Sequence, residues 1–469
     1  MVQHAADIIR GVSSRTVLTG FGSHLRSSGG SAETYALSEP EIELDVFLSH
    51  SWRDSGMLKY LAISFHFNAR PALLCSLIVA LVVFALEAQT SDGLCFRLAK
   101  FPPPEPDILA AMEPLARIVP VPPVRVLAYS VRPCAFLTFL VVVLWGHRLP
   151  FVIRGRRMFL DKICIHQTDQ AKKRAGILAL DEFLRRSRAI MICYQDDYLE
   201  RLWCVFELAA FCEQQRSETV EKNLIFLPLL RAPCVLAVSC GFAIHFFFEH
   251  LAHQPGSPLL GRIPGSSTAA GFWVYVMVSV SVLFVVPVWL STRSAQAKER
   301  AVAQLRSFSV EKTKCFDPND RHVVEQQISR WFAPSNDDRS EPKGIARFEE
   351  EVQRGKVAGA VLRQLGGGAG LLNYEYVLYS QLPMFLVGLD AAAHNPFVGS
   401  WCLTHTADFL VVCPLTYYVH SAVARRLVQV SWLPFPLLLV LSSLIFAAML
   451  IAGIVGSCVL QCFLFGGAL

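Results

Sequence analysis

Charged residues are scarce in this chain of 469 residues: Asp, Glu, Lys and Arg make up 17%, whereas hydrophobic residues make up 53%. Soluble domains usually contain about 25% charged residues. One water-soluble core cannot bury so much apolar surface, so the composition predicts a membrane protein. The net charge is only +5 and the basic residues are scattered, so we expect no nucleic-acid partner.

Metal-binding and glycosylation patterns are also missing. The 14 cysteines form no C-x-x-C pair, and several lie in apolar runs, where cysteine behaves as a small buried hydrophobe. We expect reduced thiols and not a disulfide framework. The absence of any N-x-S/T acceptor argues against large ectodomains. His245, Glu249 and His253 share a helix face, but His and Glu are common where a span ends, and we expect no metal or cofactor.

Long apolar segments are the most abundant feature of the chain. A helix needs about 20 apolar residues to cross a bilayer. The candidates are residues 71–88, 133–153, 232–248, 271–291, 376–393, 402–420 and 432–465. Asp390 weakens the candidate 376–393, and 71–88 is equally consistent with a core helix of a soluble protein. We expect about six spans.

The distribution of positive charge predicts the orientation of these spans. Four arginines lie within 148–157 and three basic residues follow 271–291, whereas the loop 249–270 contains only Arg262. Basic loops face the cytosol, so the protein should be an integral, multi-pass membrane protein with three cytosolic segments. These are residues 1–70, 154–230 and 292–375. Two spans separate each from the next, so the chain returns to the same side each time.

Short apolar strands alternate with helices in the cytosolic segments. Strands are predicted at 44–49, 157–161, 189–194 and 223–228, with helices at 55–67, 174–186, 200–215 and 318–332. This alternation predicts a parallel sheet wound by right-handed crossovers, and the near-continuous apolar strand 189–194 is typical of such a sheet. Residues 307–310 are a candidate last strand. Asp317 and Pro318 have the chemistry of a helix start.

Four motifs then occur in a characteristic order. They are Asp45-Val46-Phe47-Leu48-Ser49-His50-Ser51, Phe159-Leu160-Asp161-Lys162, the strand ending at Tyr194, and Trp203-Cys204-Val205-Phe206-Glu207-Leu208. Together they resemble a TIR (Toll/interleukin-1 receptor homology) domain over about a quarter of the chain, 44–67 and 157–228. The resemblance implies an α/β flavodoxin-like parallel sheet, here interrupted by transmembrane α-helical hairpins and followed by a C-terminal α-helical membrane block. The loop 162–171 lacks the glycine that often marks the family's loop.

The predicted domain organisation combines the apolar segments with this resemblance. In chain order it is a disordered, Ser- and Gly-rich segment 1–40, the first TIR-like piece 41–68, a transmembrane insertion 69–153, the TIR-like core 154–230, a second transmembrane hairpin 231–291, a cytosolic segment 292–375 and the C-terminal transmembrane helices 376–469.

The resemblance also implies a chemistry. TIR domains that act on nucleotides cleave the nicotinamide–ribose bond of NAD, and the motif places Glu207 as the catalytic carboxylate. Nicotinamide is already a cationic leaving group, so no general acid is needed, and a carboxylate can stabilise the oxocarbenium. Ser51, Trp52, Arg53 and Trp203 are the expected contacts to this substrate. An indole four residues before Glu207 should desolvate its carboxyl group and raise its pKa.

Other functions are compatible with the same motifs. Some TIR domains only bind proteins, and there the Trp and Cys are core residues and the Glu pairs locally. The lead prediction is a membrane-anchored TIR-like signalling protein that self-associates through this domain. NAD hydrolysis is an activity that the resemblance allows and does not require. One alternative is a channel or transporter with a cytosolic TIR-like sensing domain, although the sequence has no clear internal repeat of the kind that many transporters contain. The other alternative is a non-catalytic scaffold.

Overall fold

The computed structural model describes residues 8–89, 130–149, 155–215, 217–252, 285–315, 317–333, 341–366 and 372–392, with isolated positions between 406 and 426. The chain divides into two compact units. The first, here called the α/β unit, consists of Met1–Asn68, Leu144–Pro233 and Gln296–Gly367. The second, the helical unit, consists of Ala69–Val143, Cys234–Ala295 and Gly368–Leu469. Three separated stretches of chain therefore build the α/β unit.

A six-stranded sheet forms the centre of the α/β unit. Its strands are β1 Arg10–Ser13, β2 Glu39–Pro40, β3 Leu44–His50, β4 Arg157–Phe159, β5 Ser187–Tyr194 and β6 Leu224–Pro228. Their order is β2-β1-β4-β3-β5-β6. Strands β3 to β6 run parallel, while β1 and β2 are antiparallel additions beside β4. The sheet is therefore mixed and mostly parallel, where the sequence predicted parallel strands alone.

The N-terminal segment corrects a second expectation. Residues 1–40 were predicted to be disordered, but β1 and β2 lie within them, and Val12 and Val17 are fully buried. Ser14 N donates to Arg156 O at 2.8 Å, and Arg156 N donates to Ser14 Oγ at 3.0 Å. Two short edge strands need only a few buried apolar side chains. So few are not apparent in a Ser- and Gly-rich composition.

Fifteen α-helices lie in the described residues. They are α1 Ser14–Gly22, α2 Ala32–Tyr35, α3 Gly56–Ala88, α4 Val131–Trp145, α5 Asp161–Cys164, α6 Gln170–Leu178, α7 Leu180–Arg185, α8 Leu202–Gln214, α9 Ser217–Asn223, α10 Arg231–Ala252, α11 Val285–Arg306, α12 Pro318–Phe332, α13 Glu341–Gln353, α14 Lys356–Gln364 and α15 Tyr374–Ala392. Short 3₁₀ turns cover Ser23–Leu25, Gly146–Arg148 and Tyr198–Glu200.

Several helices differ from their predicted bounds. The helix predicted at 55–67 is the start of α3, which continues without a break to Ala88. The helix predicted at 174–186 is two helices, α6 and α7, which meet at Ala179. Residues 307–310 form no strand; Val310 is buried in a turn, and its N–H donates to Glu349 Oε1 at 2.7 Å. The helix start at Asp317 is confirmed, because its carboxylate accepts from Asn319 N at 2.9 Å.

Aromatic side chains pack between the strands and helices of the α/β unit. Phe47 of β3 stacks on Phe159 of β4 at 4.4 Å between ring centroids, and Phe159 contacts Phe183 of α7 at 4.5 Å. On α8, Phe206 packs against Trp331 of α12 at 5.2 Å. Full burial of Phe47, Phe159 and Phe183 stabilises the fold by about 1.5–3 kcal/mol for each ring. The third stretch of chain, which contains α12, is thus part of the core.

The two edges of the sheet end differently. Strands β1 and β2 extend the sheet beyond β4. At the other edge, the side-chain amide of Gln364 takes the place of a further strand: Phe226 N donates to Gln364 Oε1 at 2.8 Å, and Gln364 Nε2 donates to Leu224 O at 2.7 Å. An uncovered edge would be a template for pairing with another chain.

Two described helices are, by length and composition, long and apolar enough to cross a membrane: Gly56–Ala88 and Val131–Arg148. Arg231–Phe247 is a shorter apolar helix. The C-terminal half of α3 exposes Leu74, Ile78 and Leu81. The candidates 402–420 and 432–465, and most of 271–291, lie outside the described residues, so the number of spans stays a prediction.

A buried ion pair lies inside the helical unit. Asp390 of α15 has no exposed surface. Its carboxylate accepts from the backbone N–H groups of Val131 and Arg132 at 3.0 and 3.3 Å, and from Arg132 Nε at 3.0 Å. The guanidinium group also lies 5.4 Å from the ring of Phe246. These partners compensate the charge that weakened 376–393 as an apolar segment.

Candidate functional site

The candidate site lies at the carboxyl ends of β3 and β5. In chain order the four parallel strands are arranged 2-1-3-4, since β4 lies on one side of β3 and β5 on the other. The chain therefore leaves these two adjacent strands in opposite directions, and ligands of open α/β sheets bind in the crevice at such a point. The loops 51–55 and 195–201 flank this crevice, and α8 follows the second of them.

Glu207 reaches this edge from the second turn of α8. Ser49 Oγ, at the end of β3, donates to Glu207 Oε2 at 2.5 Å. The same hydroxyl lies 2.6 Å from the OH of Tyr198, which can donate to Cys204 O at 3.5 Å. Ser49 and Tyr198 are both fully buried. In the part of the chain that the structure describes, no basic group forms an ion pair with Glu207.

This environment disfavours the ionised form of Glu207. Burial is the main cause, and it raises the pKa of the carboxyl group to about 8. The hydrogen bond from Ser49 and the charge of Arg201 oppose the shift, while the charge of Asp161 adds to it. The sequence predicted a shift in this direction from the Trp203 indole, whereas the polar contact of the carboxyl group is the hydroxyl of Ser49.

Ser51 and Trp52 lie at the same edge. Ser51 Oγ accepts from Arg201 Nη1 at 3.3 Å and donates to Asp197 Oδ2 at 3.4 Å. Trp52 Nε1 donates to Asp161 Oδ2 at 2.9 Å, which ties the loop after β3 to the loop after β4. These two predicted contact residues are thus brought together with Glu207, as the carboxyl ends of parallel strands require.

Trp203 and Arg53 are placed differently. Trp203 Nε1 donates to Asp320 Oδ2 of α12 at 3.2 Å, and its ring packs edge-on against Phe206 at 5.5 Å. Although four residues separate Trp203 from Glu207, the polar contact of the indole is to α12 and that of the carboxyl group is to β3. The side chain of Arg53 is exposed. The contacts of Trp203 and the exposure of Arg53 are therefore explained without a bound substrate.

Several polar residues of this edge escaped the sequence reasoning. Tyr198 and Arg201 come soon after β5, so a polar stretch after a buried strand was the available signal. His50 and Lys59 lie against Trp52, with the His50 ring 4.4 Å from the Trp52 ring and Lys59 Nζ 5.3 Å from it. A single lysine among the apolar residues of the first turns of α3 was the signal for Lys59. The described residues contain no group of three or more His, Cys, Asp or Glu side chains placed to hold a metal ion.

Comparison with known proteins assigns no identity: no family model, no curated protein and no solved structure matches the chain. What this edge can do follows from its geometry. A partly buried carboxylate with a neutral hydroxyl as its hydrogen-bond partner is suited to stabilising a positive charge that develops beside it.

Proposed function

We propose that the α/β unit is a TIR-like domain, held at a membrane by the apolar helices, that binds NAD at the edge of β3 and β5 and hydrolyses the nicotinamide–ribose bond with Glu207. The arrangement of the parallel strands supports the fold assignment, because 2-1-3-4 is the start of the flavodoxin-like order. The observation that carries the chemistry is the Glu207 carboxyl group, which lies partly buried at this crevice, accepts a hydrogen bond from Ser49 and has no basic partner in the described residues.

The reaction breaks the bond between ribose C1′ and the nicotinamide nitrogen. Nicotinamide leaves with the bonding electron pair as a neutral molecule, so the departing group needs no proton. The ribose becomes an oxocarbenium-like cation, which the carboxylate of Glu207 stabilises. Water then forms a bond to C1′ and releases its proton to solvent, giving ADP-ribose. Ser49 orients the carboxylate throughout.

The raised pKa of Glu207 couples ionisation to substrate binding. With a pKa of about 8, the carboxyl group is mostly protonated near neutral pH. The positively charged nicotinamide ring favours the ionised form. Substrate binding therefore helps to create the carboxylate that the reaction uses.

Signalling by association is the role that we propose for the whole chain. The apolar helices would confine the α/β units to one plane, with these units in the cytosol. Confinement raises the effective concentration of units that associate with one another. Changes in the association of the α/β units at the membrane would then change the rate of NAD hydrolysis at Glu207.

Nicotinamide release tests this proposal. The full chain is reconstituted in liposomes and clustered, NAD is added, and free nicotinamide is measured by chromatography. We expect release by the wild type and a loss on the order of 10²–10³-fold in Glu207→Gln, as for other residues that stabilise transition-state charge. Glu213→Gln, which changes an exposed carboxyl group on the same helix, should keep the wild-type rate.

The opposite results define the alternative. Equal release by the wild type and Glu207→Gln would show that Glu207 has no catalytic role. No release from clustered wild type would leave the non-catalytic scaffold as the function of the fold. Matching circular dichroism spectra and unfolding temperatures of the three proteins establish that each variant is folded.

A further inference from the structure

A second group of polar side chains is buried beside Trp52. Lys59 is completely buried, and Asp54 is 7% exposed. Within the described part of the chain, Lys59 Nζ, Asp54 Oδ2 and Asp197 Oδ1 have no hydrogen-bond partner. Burial of such groups without a partner costs free energy, most of all when they are charged. Since native proteins pair nearly all buried polar groups, unpaired ones call for a partner such as a bound ligand or an ordered water.

These atoms share one environment. Lys59 Nζ lies 5.3 Å from the centre of the Trp52 ring, and the His50 ring meets the same indole edge-on at 4.4 Å. Burial and the charge of Asp197 raise the pKa of Asp54 to about 6, while Lys59 opposes that shift. Asp197 is fixed by the bond from Ser51 to its other oxygen, Oδ2. The group is therefore continuous with the loop that flanks Glu207.

The donors and acceptors define the ligand. Lys59 offers N–H donors, and Asp54 and Asp197 offer acceptors. A phosphate group only accepts, and its charge would be repelled by two carboxylates. A cation only donates, and it would meet the ammonium group of Lys59. A neutral group that both donates and accepts satisfies all three residues.

His50 fits the same description. Burial, with the positive charge of Lys59, lowers the pKa of its imidazole to about 3, so the ring is neutral. A neutral imidazole has one N–H donor and one acceptor nitrogen. Both ring nitrogens are buried and outside the geometry of a normal hydrogen bond to any described group, and an interaction with the backbone of Leu48 opposes the lowering of the pKa. The four residues therefore offer a balanced set of donors and acceptors.

We propose that Lys59, Asp54 and Asp197, with His50, form a binding subsite for a neutral group that both donates and accepts hydrogen bonds, either a carboxamide or a sugar diol. The inference rests on the proposed function, because NAD carries both groups. It adds a basis for specificity: a carboxylate in place of the carboxamide, or a deoxygenated ribose, leaves buried partners unsatisfied and is rejected.

Binding without turnover tests the subsite. Full-length Glu207→Gln protein in lipid nanodiscs is titrated with two probe pairs, nicotinamide against nicotinic acid and adenosine against 2′,3′-dideoxyadenosine, by saturation-transfer NMR. We expect one pair to show a preference on the order of tenfold for the first member. A preference for nicotinamide assigns the site to the carboxamide, and one for adenosine assigns it to the diol. Equal or absent binding of both pairs overturns the proposal.

Two variants test whether the binding preference depends on Lys59 and Asp54. Lys59→Met replaces a buried amine by an apolar chain of similar length, so it should abolish the preference and raise the unfolding temperature. Lys172→Met, at an exposed position, should change neither. Asp54→Asn is the nearly isosteric second variant and should also abolish the preference. A preference that survives in both subsite variants contradicts the assignment.

Failure of the inference and failure of the proposed function give different results. Release of nicotinamide from NAD by the wild type, with no preference in either probe pair, defeats the subsite alone. A preference that depends on Lys59 and Asp54, without any NAD hydrolysis, supports the subsite and defeats only the catalytic assignment of Glu207.

Discussion

Two carboxyl groups, the fully buried Asp390 and the partly buried Glu207, have very different surroundings. In the helical unit, Asp390 accepts three hydrogen bonds, one of them from the guanidinium of Arg132. In the α/β unit, Glu207 accepts from the neutral hydroxyl of Ser49 and has no basic partner in the described residues. Burial of a charge is costly unless partners compensate it. The comparison indicates that Asp390 stabilises its unit, whereas the unpaired state of Glu207 supports our proposal that it meets a positive charge on a ligand.

The largest effect on stability is expected at the compensated pair. Arg132→Met leaves Asp390 without its cation, and breaking a buried pair in this way costs about 3–5 kcal/mol in the free energy of unfolding. Unfolding of the purified protein in detergent measures the loss. Arg70→Met, which removes the exposed partner of Glu375, should cost less than about 1 kcal/mol. Equal losses in the two variants would show that Arg132 does not compensate a buried charge.

Glu207, which has no compensating cation, should make the stability of the α/β unit depend on pH. The pKa of Glu207 is about 8 in the folded protein and ordinarily 4.5, so the folded state binds more protons between these values. Stability therefore falls as the pH rises from about 4.5 to about 8. Glu207→Gln removes this contribution and should flatten the curve of unfolding temperature against pH. Parallel curves for the wild type and the variant would contradict the raised pKa.

Ser49→Ala tests how the hydroxyl group of Ser49 affects the ionisation of Glu207. The hydrogen bond from Ser49 favours the ionised form of Glu207, so its loss should raise the pKa of the carboxyl group further. At pH 7 we expect nicotinamide release to fall by about tenfold, since one hydrogen bond to a charged group contributes about 1.5–3 kcal/mol. Release should recover at higher pH. A rate that is low at every pH would point to lost folding instead.

The smallest effect is expected at the edge of the sheet. Gln364→Ala removes both amide contacts to β6, at a cost of roughly 0.5–1.5 kcal/mol for each hydrogen bond. It also exposes a strand edge, so association of the α/β units should increase with protein concentration, as light scattering would show. Gln195→Ala, at an exposed position, is the control. An unchanged stability in Gln364→Ala would show that the amide contacts of Gln364 do not stabilise β6.

Much of the α/β unit could be predicted because its parallel strands are buried on both faces and read as apolar runs. The placement of Ser51, Trp52 and Glu207 at one edge followed from the same strands. Strand β1 escaped because four residues beside glycine and serine give no periodic signal. The partner of Trp203 escaped because Asp320 is 117 residues away in the chain, and no local pattern reports such a contact. The unpaired Lys59 could be recognised only once its surroundings were known.

The pH dependence of kcat/KM for NAD hydrolysis tests the central claim most directly, because it separates a reactive carboxylate from a protonated carboxyl group. If the ionised form of Glu207 stabilises the oxocarbenium, kcat/KM rises with pH and levels off above an apparent pKa of about 8. In Ser49→Ala the same rise should move to higher pH. A rate that falls as the pH passes 8, or that does not change with pH in the wild type, would contradict the assignment of Glu207 as the catalytic carboxylate.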